Sequence, residues 1–252
     1  MGQAGGHDRF APCVVPDLLW SPLMPKKSSK IGGGLSAVVG VLVVAVFVLY
    51  QLGVIDLEPE ATAGPQGGDA PASELSVEQA RSQLEELRIE EEDDPPGYDR
   101  ALFPHWDTNV QENCTTRQAV LVRDGDAVET DEDCKPVSGS WYSAYDGETF
   151  TDAQDIDIVH MVALKEGWRS GAHAWTTEER GRFANDMDST QLWAVSASTN
   201  RSKSDADPAE WMPPLESSHC DYVVSWIEVK HVWDLTVDPD EESALRDVLS
   251  GC

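Results

Sequence analysis

Basic residues are scarce in this chain. Lys and Arg number 18 in 252 residues, against 46 Asp and Glu, and the formal net charge at pH 7 is −28. A charge of this sign argues against a protein that coats nucleic acid or binds an anionic membrane surface, because both need broad cationic surfaces. It is compatible with a soluble exported enzyme. The length and the 40% hydrophobic content allow one domain with a sizeable core and additional segments.

The patterns that usually announce a metal site are also missing. The chain has five cysteines and six histidines, but no Cys-x-x-Cys pair and no paired-His spacing of a zinc site. It also lacks the paired carboxylates or zinc ligands of a wall-degrading enzyme. Four cysteines follow residue 55, and an even number beyond an export segment predicts two disulfides with three possible connectivities. These cysteines are Cys114, Cys134, Cys220 and Cys252.

One long stretch has no charge at all. Residues 31–55 contain no Asp, Glu, Lys or Arg. As a helix, this segment would span about 37 Å, which exceeds the hydrocarbon core of about 30 Å. Lysines before it and acidic residues after it favour a single-pass membrane anchor with an extracellular C-terminal domain over a buried core helix. Cleavage at the small residues Ala61-Thr62-Ala63 would instead give a secreted protein.

Composition divides the chain into four parts. Residues 1–30 are predicted to be a disordered cytoplasmic terminus and residues 31–55 a transmembrane signal-anchor. Residues 56–96 are predicted to be an acidic linker with a short helix after Ser76, which has a capping-box pattern. Residues 97–252 form the predicted globular domain.

Two strands and a helix are predicted at the centre of that domain. Alternating β-branched and polar residues predict a strand from Asp155 to Val162, with His160 near its end. The apolar run from Gln191 to Ala197 predicts a second strand. Thr199 suits an N-cap, so a helix is expected to begin at about Asn200. A histidine leaving one strand and an amide at the head of the next helix predict a pocket for one metal ion.

Outside this region, other patterns predict further elements. They are a short strand from Gln118 to Asp124, helical structure within 165–187, a helix over about 220–233 and a last helix from Asp238-Pro239.

Five motifs follow one another in a characteristic order. They are His160-Met161-Val162-Ala163-Leu164, Trp168-Arg169-Ser170-Gly171-Ala172, Ala184-Asn185-Asp186, Asn200-Arg201-Ser202-Lys203 and Trp211-Met212-Pro213-Pro214. Together they resemble a branch of secreted bacterial HNH (His-Asn-His) endonucleases, similar to the C-terminal domain of modification-dependent restriction enzymes. The resemblance covers roughly residues 97–252. With the apolar segment, it implies an α+β fold: a ββα-metal (HNH-like) core with added helices, preceded by one transmembrane helix.

The resemblance implies metal-dependent hydrolysis of phosphodiester bonds outside the cell, in DNA rather than RNA. His160 would act as the general base, because an imidazole is largely neutral at pH 7. The side chain of Gln191 or Asn185 would orient the His160 ring. Sequence proximity and the family pattern favour the disulfides Cys114–Cys134 and Cys220–Cys252.

The implied metal site departs from the family at one position. Asn200 would ligate Mg²⁺ or Mn²⁺, which prefer oxygen donors, and Lys203 or Arg201 would hold phosphate. The family has Asp directly before the histidine, whereas this chain has Val159. Asp157 faces the same side of a strand, but it lies roughly 6.6 Å away along it. The alternative is therefore an HNH-fold surface binding protein with weakened catalysis.

Charge supports a site in the motif region. After residue 55 there are 44 acidic and 14 basic residues, but within 160–203 there are five acidic and six basic ones. A phosphodiester ligand would meet the least electrostatic repulsion in this region. Ordinary scatter in the charges of helices is the alternative explanation.

Overall fold

A computed structural model of the protein describes residues 73–108, 110–111 and 113–252. Seven α-helices and five strands are found in these ranges. In chain order they are α1 Val77–Glu86, α2 Thr116–Asp124, β1 Gly125–Thr130, β2 Pro136–Tyr142, β3 Thr149–Phe150, β4 Ile156–His160, α3 Leu164–Arg169, α4 Thr177–Ala184, β5 Leu192–Ser196, α5 Ala197–Lys203, α6 His219–Val232 and α7 Pro239–Gly251.

The strands form two small antiparallel sheets. One has the order β1-β2-β3, and the other pairs β4 with β5. In the second sheet Ile156 lies opposite Ser196 and His160 lies opposite Leu192. Helix α5 follows β5 without a loop, so it starts at the end of the sheet that is farthest from His160.

Two hydrophobic clusters cover the two faces of the β4–β5 sheet. Val159, Trp193 and Val195 belong to the larger cluster, which includes residues of α1, α6 and α7. Ile156, Ile158, Leu192 and Ala194 belong to the second cluster, with residues of α2 and β2. Because side chains alternate along a strand, residues with even and odd numbers in β4 face different clusters.

Helix α1 is the helix expected after Ser76, and that prediction is confirmed. The Ser76 hydroxyl accepts from the amide of Gln79, whose side chain accepts from the Ser76 amide in return. Ala80 and Leu84 of this helix are buried in the larger cluster. The segment that composition marks as a linker therefore contributes a helix to the hydrophobic core.

The segment from Gln118 to Asp124 is helical, and the predicted strand there is wrong. Thr115 and Gln118 form a second capping box, which satisfies amides at the start of α2. Ala119, Val120 and Leu121 are consecutive and all buried, without the alternation of a half-buried strand. Helix α5 also differs from expectation, since its N-cap is Ser196 and not Thr199.

The expected fold class needs correction. The described residues are a mixture of helices with two small sheets, and none of their helices is long and apolar enough to cross a membrane. They do not support the description of a ββα-metal core preceded by a transmembrane helix. The predicted disordered terminus and the predicted span at 31–55 lie outside the described residues.

Both expected disulfides are present. Cys114 is bonded to Cys134, with their Cα atoms 5.2 Å apart, and Cys220 is bonded to Cys252, with a Cα distance of 5.8 Å. The first joins the segment before α2 to the turn between β1 and β2. The second joins the first turn of α6 to the last residue of the chain. Disulfides that close loops of these lengths stabilise the fold by about 3 kcal/mol each in the chain-entropy model.

Candidate functional site

His160, the predicted general base, is enclosed at the end of β4. It is 5% exposed, and its Nε2–H donates to the carbonyl of Ala184 at 3.0 Å. The ring of Trp106 lies over it, with 5.8 Å between ring centroids. Burial lowers the pKa of His160 to about 3, although the hydrogen bond to Ala184 opposes this. Because general bases work best with a pKa near the operating pH, this environment is unsuited to that role.

The enclosure of His160 predicts a pH-dependent stability. Its pKa falls from 6.5 to about 3 on folding, so its neutral form stabilises the fold fully above pH 6.5. That contribution is lost as the pH falls from 6.5 towards 3. Between about pH 7 and pH 5 the wild type should lose about 2 kcal/mol more than His160→Gln, which does not titrate. Urea denaturation of both proteins measures this difference, and equal losses would contradict it.

The two predicted metal ligands, Asn200 and Asp157, are brought together. The Nδ2 of Asn200 donates to the Oδ2 of Asp157 at 3.1 Å, and both residues are half-buried. By the alternation of β4, Asp157 shares a sheet face with Val159, whereas His160 shares the opposite face with Ile158. The structure therefore does not place the His160 ring and the Asn200 amide in one cleft.

These residues do not fit the divalent-metal site that the resemblance implies. Val159 is 3% exposed and packs in the hydrophobic core, so it offers no ligand. Asp157 and Asn200 together supply one carboxylate and one amide. Within the described ranges, no group of three or more His, Cys, Asp or Glu residues could hold a metal ion. Binding of Mg²⁺ or Mn²⁺ stays a prediction of the sequence.

Gln191 binds backbone and not the His160 ring. Its Oε1 accepts from the amide of Val162 and its Nε2 donates to the carbonyl of the same residue, both at 3.0 Å. The carbonyl of Gln191 also accepts from the amide of Met161 at 2.7 Å. The side chain thus extends the backbone pairing of β4 and β5 beyond the ends of the strands.

Asn185, the other predicted partner of the ring, forms hydrogen bonds to four residues. Its Oδ1 accepts from the amide of Asp107 at 2.9 Å and from the hydroxyl of Thr116 at 2.7 Å. Its Nδ2 donates to the carbonyls of Pro104 at 2.9 Å and Gly181 at 2.8 Å. All four hydrogen-bonding positions of the amide are used in this way. None of them involves His160.

The two predicted phosphate-binding residues have opposite surroundings. Lys203 is 0% exposed, and its Nζ lies 5.2 Å from the centre of the Trp226 ring. The Nζ has no hydrogen-bond partner among the described residues, and burial lowers the pKa of Lys203 to about 8. It cannot reach a phosphate of a bound polynucleotide. Arg201 is exposed and remains accessible to such a ligand.

Sequence reasoning missed the residues that enclose His160, Trp106 among them. The charged groups that act on the imidazole are Arg100, His105 and the buried Lys203, which are all basic and all lower its pKa. Trp106 has a φ of 64°, in the left-handed region that bulky residues rarely adopt. A backbone conformation of this kind leaves no pattern in the sequence, so no signal there could have identified it.

Comparison with known proteins places the chain in a nuclease-related class. Residues 126–248 match the family described as GmrSD restriction endonucleases, C-terminal domain. A protein of Arthroderma benhamiae (strain ATCC MYA-4681 / CBS 112371), named "Uncharacterized secreted protein", is 45% identical over 190 residues. The alignment covers 75% of this chain and 93% of that protein. The chain belongs to one family with this fungal protein, and its residues 126–248 are similar to the C-terminal domain of GmrSD restriction endonucleases.

These matches also correct one expectation. The resemblance pointed to a bacterial branch, but the relative from Arthroderma benhamiae is fungal, so a bacterial origin has no support. No solved structure matches the chain.

Proposed function

We propose that this protein binds nucleic acid outside the cell and that its capacity for hydrolysis is weakened or absent. The family supports a nucleic acid as the ligand, and the secreted relative supports an extracellular location. DNA is preferred to RNA in this proposal, as the resemblance implies. The observation that carries it is that the His160 ring is enclosed and hydrogen-bonded to the carbonyl of Ala184, whereas Asn200 is paired with Asp157.

Hydrolysis of a phosphodiester needs a base beside the attacking water and positive charge at the phosphate. The base and the positive charge must act on the same phosphate. In this chain the His160 ring is covered and has a pKa of about 3. By strand alternation it faces away from Asp157, the partner of Asn200. Val159 supplies no charge on the face where the family has a carboxylate. The chain therefore has only some of the groups that hydrolysis requires, and its histidine does not lie beside its Asp157–Asn200 pair.

Binding has different requirements, and the surroundings of His160 meet them better. Arg100 is exposed, and no acidic side chain in the described ranges forms an ion pair with it. Arg100 acts electrostatically on the His160 imidazole. In a chain with a net charge of −28, a local group of basic residues is where phosphates would be attracted.

Metal-dependent DNA cleavage is the second candidate, and one contact favours it. Asp157 and Asn200 meet at 3.1 Å on the face of Val159, so two oxygen-bearing side chains of the implied site are already adjacent. A carboxylate at residue 159 would face the same side of the strand. The second candidate thus requires Asp157 and Asn200 to act without that carboxylate.

Nicking of plasmid DNA with Mg²⁺ or Mn²⁺, measured beside the binding of a labelled oligonucleotide, distinguishes the two candidates. We expect the wild type to bind without nicking. Val159→Asp should introduce metal-dependent nicking at about 10–100-fold above the background of the assay, whereas Val159→Asn, with a similar volume and no charge, should not. Thermal unfolding establishes that each variant is folded. Nicking by the wild type that is abolished in His160→Ala would overturn the proposal.

A further inference from the structure

Trp106 is held in a conformation that costs energy. Its φ of 64° lies in the left-handed region, which is sparsely populated for residues with bulky side chains. Such conformations persist only where the surrounding structure fixes them, and they concentrate at functional sites. The residue therefore calls for two explanations: what holds it, and what its placement achieves.

Hydrogen bonds on both sides of Trp106 hold it. We name residues 104–107 the Trp106 strap. Asn185 binds both ends of the strap, through the carbonyl of Pro104 and the amide of Asp107, each at 2.9 Å. The carbonyl of Asp107 accepts from the amide of Thr116 at 2.9 Å. The half-buried amide of Asn185 thus fixes the two residues that flank the His105-Trp106 pair.

The strap presents an aromatic surface among basic groups. Trp106 is half-buried, with its ring over His160 and the ring of His105 at its edge, 5.5 Å between centroids and 71° between planes. His105 is itself half-buried, and Arg100 is exposed on the turn that precedes the strap. Asp107 is the one acidic residue of the strap. An indole beside a basic side chain is the combination that binds a base together with its neighbouring phosphates.

We infer that the Trp106 strap is the contact surface for single-stranded nucleic acid, with an unpaired base stacked on the Trp106 indole and the adjacent phosphates at Arg100 and His105. Asn185 is the positioning residue that fixes the indole. This inference rests on the proposed function and adds the strand state of the ligand. A single strand is required because the faces of bases in a duplex are covered by neighbouring pairs. Because the protein is strongly acidic, attraction to the phosphate backbone of the nucleic acid contributes little to the affinity. Stacking must therefore supply much of it.

Fluorescence anisotropy with a labelled oligothymidylate, a single-stranded RNA of equal length and a DNA duplex tests the inference. Trp106→Ala should raise the Kd for the single strand about tenfold or more, since loss of one stacked base costs about 5–150-fold. Trp106→Phe should retain most of the affinity. Trp211→Phe is the matched control, because Trp211 is also half-buried but packs against Tyr145 and Tyr222. Its Kd should equal that of the wild type.

The role of Asn185 has its own readout. Asn185→Ala should weaken binding at a temperature where the variant is fully folded, and the quenching of tryptophan fluorescence by the oligonucleotide should decrease with it. A merely structural Asn185 would change neither quantity under those conditions. An unchanged Kd in Trp106→Ala, or a preference for the duplex, would overturn the inference and leave the proposed function intact. If the wild type binds none of the three nucleic acids, the proposed function fails as well.

Discussion

Replacing Lys230 by methionine is expected to lower the free energy of unfolding by about 3–5 kcal/mol. Lys230 is 0% exposed, and its Nζ donates to Glu166 at 2.7 Å and to Glu241 at 3.1 Å. It also donates to the Ser170 hydroxyl at 2.7 Å and the Thr236 carbonyl at 2.8 Å. Burial alone would lower the pKa of Lys230, but the two carboxylates outweigh it and raise the pKa. Without the ammonium group, Glu241 is left buried with no ion-pair partner among the described residues, and Glu166 keeps only Arg169, at 3.4 Å.

Lys203 provides a matched control within the same core. Both lysines are fully buried, and both ammonium groups lie over the Trp226 ring, at 5.2 Å for Lys203 and 5.7 Å for Lys230. Lys203→Met removes a charge that has no hydrogen-bond partner among the described residues, so it should change stability by less than about 1 kcal/mol or increase it. Urea denaturation of the two variants measures the difference. Equal losses of unfolding free energy in the two variants would show that the hydrogen bonds of the ammonium group do not determine the effect of removing a buried lysine.

Asn185→Ala is expected to cost about 2–4 kcal/mol, at about 1 kcal/mol for each of its four hydrogen bonds. The variant leaves the amide of Asp107 and the carbonyl of Pro104 without their partner, so the ends of the Trp106 strap are released together. Thermal and urea unfolding measure the loss. The result would show how much of the fold depends on one side chain outside every helix and strand.

Asn185→Asp is the informative companion to this variant. Its carboxylate can still accept from Asp107 and Thr116, but it places oxygen against the carbonyls of Pro104 and Gly181, where the amide donated. We therefore expect it to be no more stable than Asn185→Ala. A purely catalytic Asn185 predicts the reverse pattern, in which stability is kept and only activity falls.

The elements that sequence patterns predicted well are those with local causes. The capping box at Ser76 marks the start of α1, and Asp238-Pro239 starts α7. The strands around the motifs were predicted to within two residues at each end. The start of α2 has an equally local signal in Thr115 and Gln118, but the run of apolar residues after it was interpreted as a strand.

The candidate site was less predictable, because it depends on packing between distant parts of the chain. Alternation along β4 puts Asp157 on the side of residue 159, and Asp157 is found paired with Asn200. The resemblance, in contrast, put His160 and Asn200 in one cleft. Lys203 lies in a polar motif on a short helix, and its burial results from Trp226 of α6. Enclosure of His160 similarly depends on Trp106, more than 50 positions earlier in the chain.

The packing of α1 sets a lower limit on the part of the chain that can fold independently. The family match begins at residue 126, but Ala80 and Leu84 fill the core beside α6 and α7. Arg88 and Glu90, which follow α1 in the chain, also form backbone hydrogen bonds with Val237. A recombinant fragment that begins at residue 126, or at residue 97, would expose the apolar surface against which α1 packs, and it should precipitate during purification. A fragment that begins before Ser76 should remain in solution.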